Sequence, residues 1–514
     1  MPKLIINNKL FMLVFSLFSL NTNCLAQFNN KVWAFGDSAG VSWANSSSLP
    51  INFISNLNCR NGTASISDSN GLICYAGLFN NTLPINVCIW NKYNTLMQNG
   101  DYNYGGVWYH VNLFIPDPGN DSILYMFGIG VTQSNPYGFY YSTINYKANN
   151  DSGIVIQKNV QLNNFPAFDA LMAVQHGNGR DWWLIFQRWY APNGLTPTND
   201  FFIYSITPSG ISQANVQSIG STHSTNLGHL CFNSLGSQFA NISIRGMIEL
   251  YNFDRCEGNI TSIVPIEQEV TAFPYPIYFS CAFSLDGSKL YVSEYSQTSA
   301  PSYLYQFDLN AANISASKTV IDSFVNPDIG INTLKLAPDS KIYLASADES
   351  LFWPYPDTIT AYTTINNNLS VINYPDSLGA ACDFQPFSFN LGTGRSYYGL
   401  PNNPNYELGA WVGSPCDTLT VGITENDEKE DVFFQAWYNP EWNMIHVNAA
   451  KLKGKIGMLR LFDVEGRVVY ERKMEVIASG YFTGEIAVNG ITAGVYIVSL
   501  VTEKDKVQGK ILKY

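Results

Sequence analysis

The octapeptide HGNGRDWW gathers His176, Arg180, Asp181, Trp182 and Trp183 within residues 176 to 183. Together these residue types suit a sugar: aromatic rings lie on its apolar faces while a cation and a carboxylate hold its hydroxyls. Successive residues of a strand point to opposite faces, so Trp182 and Trp183 cannot both face one ligand. The plainer reading is that one of them packs between sheets and the pair marks a strand.

Other chemistries find less support. Serine hydrolysis needs a nucleophile elbow such as GxSxG, and a propeller peptidase needs an α/β-hydrolase domain, for which there is no helical sequence; no elbow is expected. Asp and Glu residues are plentiful enough to supply a glycosidase pair, but their separation in space decides that mechanism. The close run of oxygen ligands that a calcium loop requires, as in DxDxDG, does not occur. No CxxC pair exists and the chain has 5 histidines, so neither a metal site nor a cofactor is expected, and no catalytic residue is assigned. GTGRSYYG, residues 392 to 399, is a lone glycine pattern with no helix after it and implies no nucleotide site.

The elements that must position these residues follow from composition. In a chain of 514 residues, 46% are hydrophobic, 14% aromatic and 13% charged, with Gly, Asn, Ser and Thr between short apolar runs. That pattern reads as an all-β protein of two or three domains. A net charge of −12 excludes a phosphate-tracking surface, and nucleic acid with it.

At the start, Lys3 and Lys9 precede an apolar run from Leu10 to Leu20 and small residues up to Ala26, which reads as a signal peptide over residues 1–26. Asn23 before Cys24 departs from a lipobox, so no lipid anchor is expected. No later apolar run is long enough for a transmembrane span. The eight cysteines beyond residue 26 are spread thinly, and their pairing is open.

Residues 27–415 repeat. An apolar strand, a tight polar turn and a second strand rich in Tyr, Leu and Val recur, most clearly in CAFSLDGSKLYVSE (281–294) and LKLAPDSKIYLAS (334–346). Asp68, Asp117, Asn178, Gly236, Asp286 and Asp339 mark the turns at spacings of 49 to 61 residues, the range of WD40-like propeller blades. Strands left over at both ends predict a composite blade that closes the ring, giving seven blades, with six or eight as alternatives. In order, VWAFGDSAGVSWAN, CIWNKYNTLMQNG, PDPGNDSILYMFG, AVQHGNGRDWWLIF and FSLDGSKLYVSE resemble a group of exported β-propeller proteins of the Bacteroidetes. That resemblance implies the fold and no settled activity.

The acidic stretch TENDEKED lies in a linker over residues 416–431, and a last domain over residues 432–514 carries a net charge of +3. Its short alternating strands suggest an Ig-like β-sandwich. Tyr438-Asn439-Pro440, LFDVEGRVV around Gly466, GITAGVYIVSL with Gly494, Val495 and Tyr496, and the terminal KILKY with Lys510 and Lys513 resemble the C-terminal sorting domain of the type IX secretion system. Members commonly begin with Pro-Asn-Pro; here Tyr438 stands at the first Pro. The resemblance implies a sorting signal read by the secretion machinery, and export through the periplasm to the cell surface or medium.

The expected protein is therefore a surface or secreted propeller that binds glycans or proteins, followed by a secretion tag. A glycan-active hydrolase or lyase with carboxylates at the propeller mouth is the alternative, and a structural surface component is the second.

Overall fold

The structure, a computed structural model, describes residues 28–44, 49–78, 87–105, 109–130, 138–191, 194, 196–296, 300–351, 354–417, 433–440, 443–450, 452, 456–464, 466–475, 482–502 and 505–513. The expected signal peptide and most of the acidic linker lie outside these residues. Contacts divide the chain into two compact units, Met1–Thr420 and Val421–Tyr514.

In the first unit the described residues form seven antiparallel sheets in chain order. Blade one has strands Val32–Phe35, Ala39–Ser42 and Ile51–Asn52, and blade two Ala64–Asp68, Gly71–Leu78 and Val87–Asn91. Blade three comprises Asn112–Pro116, Ile123–Gly130, Gly138–Asn145 and Ile154–Asn163. Blade four comprises Met172–Gln175, Trp182–Gln187 and Asp200–Thr207, on which Gly210–Ile211 and Asn215–Ser218 both pair. Blade five is Gly228–Phe232, Gln238–Ser243, Ile248–Asp254 and Asn259–Glu267. Blade six is Ile277–Phe283, Lys289–Tyr295, Ser302–Asp308 and Thr319–Phe324, and blade seven Ile329–Leu336, Ile342–Asp348, Asn368–Ile372 and Phe384–Asn390.

The turn markers work by local hydrogen bonding. Asp68, Asp117, Asn178, Asp286 and Asp339 each accept a backbone N–H from two residues on, at 2.7 to 3.3 Å, which closes the hairpin between the first two strands of a blade. Gly236 does the same task by taking φ +68. The first strand of each four-stranded blade is largely buried, whereas a last strand such as Asn259–Glu267 is half in solvent, so the first strands line the axis.

The ring closes by face packing. Trp33, Phe35 and Val41 of blade one pack on Tyr343, Leu369 and Val371 of blade seven, while Ala34 joins the core of blades two to four. Closure differs from the expected composite blade. Among the described residues the strands of blade one come from the N-terminal side, and the C-terminal side adds the backbone bridge between Asp37 and Arg395. The Arg395 guanidinium completes it, with Nε donating to Asp37 Oδ2 at 2.9 Å and Nη1 to the Pro356 carbonyl at 2.9 Å.

The chain after blade seven does not return to the rim. Residues 394–404 are buried, and their hydrogen bonds reach blades one, two, four and seven. The Asn402 N–H donates to the Thr63 carbonyl at 2.8 Å and its side chain to the Leu171 carbonyl at 2.8 Å. The Thr333 N–H donates to the Tyr398 carbonyl at 3.2 Å. Blades two, four and seven meet only at the axis, so this strap fills the central channel. It ends at Cys416, disulfide-bonded to Cys256.

The second unit is a sandwich of two sheets, Phe433–Asn439, Met444–Ala450 and Phe482–Ala487 against Val468–Glu475, Ile456–Phe462, Gly494–Thr502 and Lys506–Lys513. Ile445, Val447, Leu459, Leu461, Val498 and Leu500 form its core, one from every second position as alternation requires.

Candidate functional site

The HGNGRDWW segment divides between two surroundings. Trp182 is buried, with its ring 5.8 Å from that of Tyr406 on the strap. Trp183 leaves on the opposite face, stacks on His176 at 5.2 Å and donates its indole N–H to the Arg255 carbonyl at 2.7 Å. Burial pushes the His176 imidazole below its usual range. Arg180 pairs with Asp181 at 2.7 Å, and Asp181 also accepts from Asn178 at 2.8 Å.

Much of the segment holds the strap. Asn178 bridges Ala410, a Cβ on Gly179 would meet the Ala410 nitrogen at 2.6 Å, and one on Gly177 would meet Cys416 Sγ at 2.4 Å. These glycines are required by the close approach of a second chain segment.

Around Trp182 lies a pocket of about 300 Å³, lined by Phe28, Asp117, Asp121, Gln175, Arg180, Trp182, Tyr406 and Glu407, among others. Asp117 is held by the Tyr125 hydroxyl at 3.0 Å and the Gly119 N–H at 2.8 Å, and Asp121 pairs with Lys147 at 2.9 Å. Burial raises the Glu407 carboxyl. The pocket thus joins a guanidinium, an amide and carboxylates to aromatic walls. Of the five residues singled out from the sequence, Arg180 and Trp182 line it; His176 and Trp183 face the disulfide, and Asp181 anchors Arg180. Asp117 reads in the sequence only as a turn marker. Tyr406 and Glu407 carry no local signal, because only the strap's path brings them here.

A second cavity, about 340 Å³, lies in the channel between the strap and the inner strands of blades five to seven. His110, His229, Cys231, Cys281 and Lys335 are on its wall. The His110 and His229 rings stack at 3.8 Å, and burial lowers His110 to about 3. Lys335 Nζ donates to the Asn403 carbonyl at 3.0 Å, and burial lowers it to about 8. Among the described residues no cluster of His, Cys, Asp and Glu has metal-holding geometry.

One GxSxG pentapeptide does stand in the chain, contrary to the expectation above: Gly36-Asp37-Ser38-Ala39-Gly40. It is a turn between two strands of blade one and no helix follows it. The Ser38 hydroxyl donates to Asp37 at 3.3 Å, Asp37 is taken by Arg395, and no histidine bonds Ser38 among the described residues. It closes the ring instead of presenting a nucleophile.

In the sandwich, Gly494, Val495 and Tyr496 pair with Lys513, Leu512 and Ile511, and Lys510 pairs with Ile497. Lys513 Nζ sits 5.3 Å from the Tyr438 ring centre, and the Tyr438 hydroxyl donates to Asn443 at 2.9 Å. Asn439 ends the first strand and Pro440 follows in the turn, while Gly466 takes φ +80 just beyond Phe462, which pairs with Ile497. The register therefore gathers the residues expected to form the sorting signal at one end of the sandwich, Glu465 and Tyr514 lying outside the described residues.

No curated protein matches the chain. Solved structures that resemble it include the Cps50 β-propeller domain of Myceliophteria thermophila, at 11% identity over 61% of this chain and 92% of that one, with a TM-score of 0.32. A quinonprotein alcohol dehydrogenase-like protein of Bacteroides thetaiotaomicron is 9% identical over 73% and 79%, with a TM-score of 0.36. PorZ, a surface component of the type-IX secretion system of Porphyromonas gingivalis, is 12% identical over 93% and 68%, with a TM-score of 0.26. Residues 435–514 match the family described as the secretion system C-terminal sorting domain. The final domain belongs to that family, and the chain is a β-propeller protein exported by the type IX system to the cell surface or beyond.

Proposed function

We propose that the propeller is a binding module for a hydroxyl-rich ligand of the glycan class, taken at the pocket beside Trp182. The observation that carries this reading is the convergence of Arg180, Gln175, Asp117 and Glu407 on one space of about 300 Å³ walled by Phe28, Trp182 and Tyr406. Carboxylates and guanidinium groups fix hydroxyls by charge-assisted hydrogen bonds, and aromatic walls cover the apolar edge of a sugar. The end of the sandwich that carries Tyr438, Asn439, Pro440, Gly466, Gly494, Val495, Tyr496, Lys510 and Lys513 is the surface we assign to the secretion machinery.

The test is a glycan array with the purified protein, followed by titration of any hit. Arg180→Gln and Asp117→Asn should each weaken binding at least tenfold, about 1.4 kcal/mol. Binding unchanged in both variants would move the ligand elsewhere on the propeller. Release of shortened saccharides during the titration would favour the hydrolase alternative, and an array with no hits the structural one.

A further inference from the structure

The repeat that builds the blades also sets two cysteines side by side. Cys231 stands five residues before the turn marker Gly236, and Cys281 five before Asp286. Equal offsets put them on the same row of the inner strands Gly228–Phe232 and Ile277–Phe283, which neighbour each other in blades five and six. Their sulfurs are 3.3 Å apart and not bonded, and both lie on the wall of the channel cavity. A disulfide would bring the two sulfurs to about 2.05 Å.

His229 Nδ1 accepts the Cys281 N–H at 3.1 Å, which ties the Cys281 backbone to the inner strand of blade five. Burial holds His229 well below 6.5, which keeps the imidazole neutral. Burial also raises the Cys281 thiol, whereas Cys231, at 9% exposure, is the sulfur closer to solvent. The chain already carries the Cys256–Cys416 disulfide, so it folds where thiols are oxidised.

We propose that Cys231 and Cys281 form a second disulfide in the exported protein, stapling the inner strands of blades five and six. The oxidant is an external disulfide, small or borne by an exchange catalyst. Cys231 loses its proton to solvent in the cavity, attacks one sulfur of the oxidant and expels the other as thiolate. The expelled thiolate takes the Cys281 proton, and the Cys281 thiolate attacks the Cys231 sulfur and expels the second thiolate, which solvent protonates. Two cysteine thiols lose two protons and two electrons, and the oxidant disulfide becomes two thiols. The staple is independent of any ligand in the pocket beside Trp182.

The test is a thiol count on protein exported by its own cells, quenched in acid, denatured and alkylated before and after reduction. The expected result is four alkylated cysteines, Cys59, Cys74, Cys88 and Cys382, before reduction and eight after it, with one cross-linked peptide pair holding Cys231 and Cys281. Six before reduction, or a cross-link from either residue to another cysteine, would overturn the proposal. Cys281→Ser should raise the first count to five by releasing Cys231; should this variant not fold, the count on the unaltered protein decides.

Discussion

Trp182 and Trp183 are neighbours with separate tasks, one at a ligand-sized pocket and one beside a disulfide, and strand alternation alone required them to part. His223 shows how burial sets a titration. It is 1% exposed, stacks on Phe168 at 4.5 Å and bonds Gln187 Oε1 at 2.8 Å, and burial lowers it from 6.5 to about 4. The folded protein keeps it neutral, whereas the unfolded chain binds a proton there below about 6.5. Its contribution to stability is therefore lost as pH falls from about 6.5 towards 4. Asp169, raised to about 7 by burial, acts oppositely, since its stabilising proton is lost as pH rises through 7. The clean readout is a difference: His223→Gln should flatten the acid side of the stability curve by up to about 1.4 kcal/mol per pH unit. Denaturant midpoints at pH 6.5, 5.5 and 4.5 measure it, and parallel curves for the two proteins would refute the assignment.

At the scale of elements, the hairpins were readable because an Asp or Asn that caps a turn acts on a backbone N–H two residues away. The strap was not. Asn402, Tyr406 and Gly409 take their meaning from Leu171, Phe114 and Arg255, which lie far back in the chain, and no periodicity announces such partners. The same limit hid Asp117 and Glu407 from the sequence reading of the pocket. The strap's anchor is testable. The Cys256–Cys416 bond spans 160 residues, and the chain-entropy estimate for so long a loop is about 5 kcal/mol. The double variant Cys256→Ser with Cys416→Ser should lose several kcal/mol in urea titration, and the pocket beside Trp182 should lose ligand affinity with it.

For the whole molecule, closure adds to the face packing of blades one and seven a buried ion pair between Arg395 and Asp37, near the two ends of the ring. Arg395 is 1% and Asp37 9% exposed, so Arg395→Met strands a buried carboxylate and should cost about 3–5 kcal/mol, read as a lowered urea midpoint. Removing residues 432–514 should leave the propeller inside the cell, as fractionation would show; propeller in the medium would contradict delivery by the final domain. The strap gives that delivery a mechanical sense. A tail hauled by a secretion machine would peel a propeller whose chain left from an outer strand, one hairpin at a time. Here tension on the chain beyond Cys416 passes to Cys256 in blade five and to a strap bonded to inner strands across the ring. Pulling on the tail therefore loads a disulfide-tied outer hairpin and the hub together, where a chain leaving from an outer strand would load that strand alone.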